Sequence, residues 1–285
     1  MNETLQAARE RNIRDALAED IGDGDWTGLL VPAGRRVRAR VLARERAVLC
    51  GRDWFDGVVK ALDPDASLQW HVDEGAWTTA DEPVLHLEGD ARALLAAERP
   101  ALNFIQLLSC TATVTREHVQ AVAGASPRPA GCAILDTRKT LPGLRQAQKY
   151  AVRVGGGQNQ RLALWHGILI KENHIAAAGG VSAVLANARA LNAGVEIQIE
   201  VETLDQLREA LAAGAPSVLL DNFDLPRMRE AVDITDGRAL LEVSGSVQLA
   251  QLRAIAATGV DRISIGHLTK DVKAVDFSMR VIDRL

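Results

Sequence analysis

The spacing of apolar residues changes near Thr113. Before that point apolar and polar residues alternate in short segments, as in the run from Val37 to Arg44. A period of two predicts strands that are buried on one face only. Helical spacing predicts helices over residues 4–21, 51–62, 91–97 and 101–110, with Pro100 in the first turn of the last one. We expect an open sheet covered on one face by helices.

After Thr113 the apolar runs no longer alternate, and a helix pattern follows each run. The runs are 132–136, 168–171, 195–201, 218–222, 239–243 and 262–266. The helices include 181–191, 203–213, 224–232 and 247–257, and Pro142 is expected to open another. Strands that are buried on both faces and alternate with helices predict a parallel sheet.

Polar residues lie at the C-terminal end of nearly every one of these runs. They are Arg138 and Lys139, Lys171, Glu200, Asp221, Ser244 and Gly266. In an open sheet ligands bind mainly at one crevice, so most of these ends would be idle. In an α/β barrel all of them meet at one mouth, where barrel active sites are found. The pattern therefore favours a barrel over an open sheet.

Charge is distributed unevenly along the chain. The protein has 37 acidic residues and a net charge of -4, yet Thr137 to Lys171 contains seven cations and no acid. A solvated basic helix face would have the same composition. Because Arg138, Lys139 and Lys171 each follow a predicted buried strand, we favour a pocket for a small polyanion.

Two carboxylates and two glycine loops complete the candidate chemistry. Glu200 and Asp221 are suited to binding hydrated Mg²⁺, to accepting from sugar hydroxyls or to stabilising positive charge, although helix capping is an alternative. Ser244–Ser246 and the loop from Gly266 follow the last two runs, where barrels often bind phosphate. The residues alone predict a transferase or isomerase that acts on a phosphorylated sugar.

Other features narrow the class of protein. Net negative charge and 4% aromatic residues argue against a nucleic-acid partner. Three cysteines without a C-x-x-C pair favour the cytoplasm over a disulfide framework. No apolar run is long enough to predict a membrane span. The histidine spacing predicts no metal site, and His174 is expected to be a hydrogen-bonded structural residue. The three glycines 155–157 are expected to form a flexible turn that lets Gln160 and Arg161 reach the mouth.

Sequence blocks along nearly the whole chain resemble those of the quinolinate phosphoribosyltransferase family. They are E-D-I-G-x-G-D-W-T, E-R-x-A-L-N, T-R-K-T-x-P-G-L-R, K-Y-A-V-x-x-G-G-G, L-I-K-E-N-H-I, I-E-V-E, L-L-D-N, S-G-S, I-S-I-G-x-L-T-K and D-F-S-M-R. The resemblance implies an N-terminal open-faced α/β sandwich over residues 1–112. It also implies an α/β barrel with fewer than eight strands over residues 113–285, with the last residues free to return to the sandwich.

The implied reaction transfers phosphoribosyl from phosphoribosyl pyrophosphate to quinolinate with decarboxylation. Its products are nicotinate mononucleotide, pyrophosphate and CO2, as in de novo NAD biosynthesis. The implied assembly is a homodimer with shared active sites, with a hexamer left open. The implied cofactor is Mg²⁺, held by Glu200 and Asp221 directly or through water.

The resemblance also implies a role for each matching position. Quinolinate is expected to meet Arg138, Gln160, Arg161 and Lys171, with Arg99 from the partner subunit. Thr137 is a further expected substrate-binding residue. Lys139 and Lys171 are expected to meet phosphates, and Glu200 and Asp221 the ribose; these four residues are the catalytic candidates. The expected 5′-phosphate loops are Ser244, Gly245 and Ser246, and Ile265, Gly266 and His267.

The chain departs from the family pattern at three positions. Gln160 stands where the family usually has His, which weakens or alters one presumed quinolinate contact. Pro100 replaces a non-proline beside Arg99, and Cys110 replaces a glycine. Two alternatives stay open: a related enzyme that uses a different aromatic acid, and a non-catalytic sensor of a phosphoribosyl ligand.

Overall fold

The computed structural model describes residues 2–285, which fall into two compact units. The first unit comprises the described residues up to Arg116, residues 140–156 and residues 269–285; the second comprises residues 117–139 and 157–268. In chain order the elements are α1 (Leu5–Ile21), β1 (Arg36–Ala43), α2 (Arg52–Leu62), β2 (Ser67–Trp70), β3 (Pro83–Asp90), α3 (Ala91–Val122), β4 (Ala133–Leu135), α4 (Arg145–Val154), β5 (Gly167–Ile170), α5 (Glu172–Ala178), α6 (Val181–Ala190), β6 (Glu196–Val201), α7 (Leu204–Ala212), β7 (Ser217–Asp221), α8 (Leu225–Thr235), β8 (Leu240–Ser244), α9 (Leu252–Ala256), β9 (Arg262–Ser264), α10 (His267–Lys270) and β10 (Phe277–Arg284).

The first unit contains an antiparallel sheet in the order β10-β1-β3-β2. In β1, Val37, Ala39 and Val41 are buried while the residues between them are partly exposed, as the alternation predicts. The apolar face of α2 contributes Trp54 and Phe55 to the core cluster of this unit. The C-terminal strand β10 pairs with β1, so the end of the chain belongs to the first unit.

The prediction of two helices over residues 91–110 is wrong, because α3 is continuous from Ala91 to Val122 and contains Pro100. Proline inside a helix removes one hydrogen bond and costs about 3 kcal/mol. Here the helix is buried on both sides of the proline, with Ala97 at 2% and Ala101 at 0% exposure. Apolar burial therefore outweighs the local penalty. The predicted boundary at residue 112 stays a prediction.

The second unit is built on a six-stranded parallel sheet in the order β4-β9-β8-β7-β6-β5. Each of the six apolar runs forms one of these strands, so the predicted strand–helix repeats and the count below eight are confirmed. The order is that of a barrel, with β9 beside β4. Within the described residues β4 and β5 do not pair, so the ring of strands is open at that point.

A short segment lies along the open edge of β4. Gln158 bridges to Leu135, its N–H donates to the carbonyl of Ile134 at 2.8 Å, and its carbonyl accepts from the N–H of Asp136 at 3.2 Å. Gln158 therefore extends the sheet by one bridge on the side where the strands do not close, and residues 159–161 follow it.

One local prediction before this segment is wrong. Helix α4 begins at Arg145, three residues after Pro142, so the proline does not open it. The predicted turn is present at Gly155 and Gly156. Gly155 itself is closely packed, because a Cβ at this position would lie 2.6 Å from the carbonyl oxygen of Ala112 and 2.6 Å from Cβ of Thr115. Gly155 allows close packing between α4 and α3 inside the first unit. No helix among residues 2–285 has the length and apolarity needed to cross a bilayer.

Candidate active site

A cavity of about 180 Å³ lies at the C-terminal ends of the parallel strands. It is lined by Thr137, Arg138, Lys139, Gln160, Arg161, Leu169, Lys171, Glu200, Leu219, Glu242, Ser244 and Ser264. Eight of these residues were predicted site residues, and every one of them lies in the second unit. The parallel sheet thus brings together side chains that are up to 127 positions apart in the chain, from Thr137 to Ser264.

Lys171 and Glu200 form an ion pair across neighbouring strands. Nζ of Lys171 lies 3.1 Å from Oε1 and 2.9 Å from Oε2 of Glu200. The Glu200 side chain is 11% exposed and that of Lys171 is 46% exposed, so the carboxylate depends on the pair more than the ammonium does. The backbone N–H of Lys171 donates to Nδ1 of His174 at 3.0 Å, which confirms His174 as a hydrogen-bonded residue at the start of α5.

Burial raises the pKa of Glu200 above its ordinary value of 4.5, and the nearby charge of Asp221 adds to this effect. The hydrogen bonds and charge of Lys171 oppose it. The charge of Asp221, on the adjacent strand, therefore disfavours the ionised form of Glu200. A positive centre between them would relieve this repulsion.

Arg138 and Arg161 are close enough to repel each other. The pKa of Arg161 is lowered, first by burial and second by the charge of Arg138. One guanidinium nitrogen of Arg161 donates to the carbonyl of Gly167 at 2.9 Å, which holds the side chain along β5. Cations kept together in this way favour binding of an anionic group, because the anion cancels their repulsion.

The segment before Arg161 is fixed by hydrogen bonds inside the unit. The fully buried Asp136 accepts from the side-chain amide of Asn159 at 2.6 Å and from the N–H of Gln160 at 3.0 Å. Nε2 of Gln160 donates to Oε1 of Gln198 at 2.8 Å, and Oε1 of Gln160 accepts from the N–H of Arg161 at 2.6 Å. The amide of Gln160 is thus used to hold the chain around the cavity.

The remaining predicted residues lie close to the cavity but do not all line it. Lys139 lies against Gly266, where a Cβ would come within 2.9 Å of its Cδ, so glycine leaves room for this cation. Asp221 pairs in register with the cavity residue Ser244. The buried Ile265 follows β9 directly.

Four other predicted residues lie outside the cavity lining. Gly245 and Ser246 line a neighbouring cavity of about 660 Å³, between the loops that follow β7 and β8. Nε2 of His267 lies 2.8 Å from Nε2 of His118, which is buried. Arg99 is an exposed residue of α3 in the first unit.

The sequence prediction missed three polar residues of this region. Glu242 and Ser264 line the cavity, and Gln198 lies directly beneath it through its bond to Gln160. Gln198 is 5% exposed, Ser264 3% and Glu242 0%. Each interrupts an apolar run, and a polar residue that a strand cannot expose must bond internally. A polar residue inside an apolar run was therefore the sequence feature that could have indicated these three residues.

The raised pKa of Glu200 makes a prediction about stability. Between 4.5 and the raised value, the folded protein binds more protons at Glu200 than the unfolded chain does, so stability falls as pH rises through this window. Glu200→Gln does not titrate and lacks this fall. We expect the urea midpoint of wild type, relative to the variant, to decrease as pH rises from about 4. If the urea midpoints of wild type and Glu200→Gln differ by the same amount at every pH above about 4, the raised pKa of Glu200 is contradicted.

Comparison with known proteins places this chain in a family. Residues 25–109 match the quinolinate phosphoribosyl transferase N-terminal domain, and residues 111–280 match the C-terminal domain. A nicotinate-nucleotide pyrophosphorylase [carboxylating] of Mycobacterium leprae is 41% identical, with 96% of this chain and 97% of that protein covered. A probable nicotinate-nucleotide pyrophosphorylase [carboxylating] of Bacillus subtilis is 40% identical, with 92% and 90% covered.

Solved structures agree with the sequence matches. The nicotinate-nucleotide pyrophosphorylase from Francisella tularensis superposes with a TM-score of 0.92 at 41% identity, with 99% of this chain and 98% of that chain covered. Because 99% of this chain is covered, the likeness is not limited to one domain. On sequence and on structure alike, the chain belongs to the quinolinate phosphoribosyl transferase family.

Proposed function

We propose that this protein transfers the phosphoribosyl group of phosphoribosyl pyrophosphate to quinolinate and removes one carboxylate. The products are nicotinate mononucleotide, pyrophosphate and CO2, and the enzyme is a pentosyltransferase of de novo NAD biosynthesis. The carrying observation is that one cavity is lined by Arg138, Arg161 and Lys171 together with Glu200, which is paired with Lys171. A dicarboxylate needs several fixed cations, and a sugar that gains positive charge needs a nearby carboxylate.

In this proposal Arg138, Arg161 and Lys171 bind the two carboxylates of quinolinate. Arginine suits this role because its planar guanidinium forms paired hydrogen bonds with a carboxylate. Lys139 binds the pyrophosphate. The loops that begin at Ser244 and Ile265 bind the 5′-phosphate through backbone N–H groups, since glycine there permits close approach.

The chemistry then follows from charge. The pyridine nitrogen attacks the anomeric carbon as the bond to pyrophosphate breaks, and Glu200 and Asp221 stabilise the positive charge that develops on the sugar. The fixed cations stabilise the departing pyrophosphate. The ring nitrogen is now positively charged, so the bond from C2 to its carboxylate can break: CO2 leaves, the electron pair stays on C2 beside N⁺, and C2 takes up a proton.

Mg²⁺ fits this donor set when the substrate supplies part of its coordination shell. No group of three or more His, Cys, Asp or Glu within residues 2–285 is arranged to hold a metal. Glu200 and Asp221 offer two carboxylates, and Mg²⁺ commonly combines one or two carboxylates with water and substrate phosphates. When bound, the ion would neutralise charge on the pyrophosphate. We propose that it enters with phosphoribosyl pyrophosphate.

We further propose a homodimer with shared active sites. The first unit exposes three neighbouring apolar side chains, Trp26 at 81%, Leu29 at 58% and Leu30 at 83%, as is typical of an interface. The same unit exposes Arg99, which would complete the site of the partner subunit. No disulfide joins the cysteines of the described chain, which supports the cytoplasm as the compartment.

Mixing two inactive variants tests the sharing of sites. Arg99→Ala and Lys171→Ala are each expected to be inactive as pure dimers. After subunit exchange, each hybrid dimer contains one site with both native residues, so about a quarter of the wild-type activity is expected at a 1:1 mixture. Subunit exchange is verified with tagged chains. No recovery in verified hybrids would refute the sharing of Arg99.

The reaction itself is tested with the purified wild-type protein. Release of pyrophosphate and CO2 in equal amounts from quinolinate and phosphoribosyl pyrophosphate is the expected result. Turnover of nicotinate in place of quinolinate would identify a related enzyme with a different aromatic acid. Tight binding of phosphoribosyl pyrophosphate without pyrophosphate release would identify a sensor.

A further inference from the structure

A layer of polar residues lies directly beneath the candidate active site. The layer is formed by the buried Gln198 of β6, Ser217 of β7 and Glu242 of β8, together with the partly buried Arg262 of β9. Glu242 also reaches the cavity. The cavity residues Glu200, Leu219, Ser244 and Ser264 lie two positions further along the same strands. Because alternate residues of a strand point to the same face, these two sets form consecutive layers inside the sheet.

Hydrogen bonds connect the members of the lower layer. Nε2 of Gln198 donates to Oγ of Ser217 at 3.1 Å and to Oε2 of Glu242 at 2.9 Å. Arg262 donates to Oγ of Ser217 at 2.7 Å and lies 3.1 Å from Oε2 of Glu242. Gln198 is therefore the residue that joins this network to the strand that carries Glu200.

Burying polar and charged side chains in such a layer costs desolvation free energy. Well-packed apolar residues in place of a buried ion pair are often neutral or stabilising. Here Oε1 of Glu242 has no hydrogen-bond partner among the described residues, although its side chain is 1% exposed. Since stability alone does not explain the layer, its connection to the cavity becomes the relevant feature.

Hydrogen bonds connect the polar layer to Arg161, one of the two arginines that line the cavity. Gln198 accepts from Nε2 of Gln160, and Oε1 of Gln160 accepts from the backbone N–H of Arg161. Arg161 is kept beside Arg138 although burial and the like charge both disfavour its charged form. A chain of three hydrogen-bonded residues thus fixes the backbone from which the second cation extends.

We infer that Gln198 is a positioning residue, which acts through Gln160 to hold Arg161 at the spacing from Arg138 that a dicarboxylate requires. This inference rests on the proposed function and deepens it. Gln198 does not touch the substrate; it selects an aromatic acid with two carboxylates over an acid with one. Gln160, where the family usually has His, serves in this chain as the link between the buried layer and the cavity.

The test is a double-mutant cycle with Gln198→Met and Gln160→Met, each close to isosteric and unable to form the amide pair. Each single variant is expected to raise KM for quinolinate about tenfold and to change KM for phosphoribosyl pyrophosphate less than about twofold. Because both changes break one link, the double variant is expected to stay within about twofold of the worse single variant. A structural role alone would not produce this split.

Thr235→Val is the matched control, since Thr235 is fully buried in the second unit and its hydroxyl donates to the carbonyl of Ala231 at 2.7 Å. It is expected to lower the melting temperature without changing either KM. Equal rises in both KM values, or effects of Gln198→Met and Gln160→Met that multiply, would overturn the inference. If Gln198→Met does not fold, Gln198→Asn keeps the amide; it must show a smaller split in the same direction, and no split overturns the inference. Failure of wild type to use quinolinate would refute the proposed function instead.

Discussion

Replacing Lys171 with methionine is expected to lower kcat/KM for quinolinate by about 30- to 5,000-fold, the effect of losing about 2–5 kcal/mol when the partner of a mostly buried carboxylate is removed. The carboxylate of Glu200 is 11% exposed and would remain buried without its cation. Its pKa, already raised by burial, would rise further. If the reaction needs ionised Glu200, the acid limb of the kcat/KM profile moves to higher pH. Steady-state kinetics from pH 5 to 9 measure both effects.

Lys270→Met is the matched control for this variant. Lys270 pairs with Asp271 at 2.9 Å, and both side chains are more than half exposed, at 52% and 61%. Exposed pairs contribute little, so we expect kcat/KM within about twofold of wild type. A Lys171→Met protein with an unchanged pH profile would show that the pair does not control Glu200.

The second large effect is expected for Arg138→Ala. Arg138 lines the cavity and lies near Arg161, so its loss removes one of the two guanidinium groups available for a dicarboxylate. We expect kcat/KM for quinolinate to fall by the factor that corresponds to a loss of about 2–5 kcal/mol of transition-state stabilisation. The change in kcat/KM for phosphoribosyl pyrophosphate is expected to be smaller. Arg138→Lys should recover only part of this loss, because an ammonium cannot form the paired contact.

Arg253→Ala provides the comparison for Arg138→Ala. Arg253 is an exposed cation of α9 in the same unit and does not line the cavity. Arg253→Ala removes one positive charge, as Arg138→Ala does, and should leave kcat/KM for quinolinate nearly unchanged. Near wild-type kcat/KM for Arg138→Ala would remove Arg138 from substrate binding.

The sequence predicts the parallel strands well because each is buried on both faces. Runs such as 218–222 are too short for helices and are flanked by turn residues, so few alternatives remain. The helix boundary predicted at Pro100 is wrong, because the burial of Ala97 and Ala101 in the first unit overrides the helix-breaking tendency of proline. Sequence spacing does not reveal how much apolar area a helix will bury.

The cavity is predictable to the extent that it depends on strand ends. Arg138, Lys171 and Glu200 were identified because each follows an apolar run. The layer beneath them was not, because the runs that Gln198 and Glu242 interrupt do not show which residues of neighbouring strands these side chains bond to. Which polar residue of a strand points inward depends on register, and register is set by the neighbouring strands.

The open edge between β4 and β5 has a consequence for how the protein responds to its substrate. Arg138 follows β4, and Arg161 ends the segment 158–161, which begins against β4 and leads toward β5. A rigid aromatic ring whose adjacent carboxylates bind both arginines would tie this segment to the end of β4 and restrict its motion. Amide hydrogens of residues 158–161 should then exchange more slowly with deuterium once quinolinate is bound.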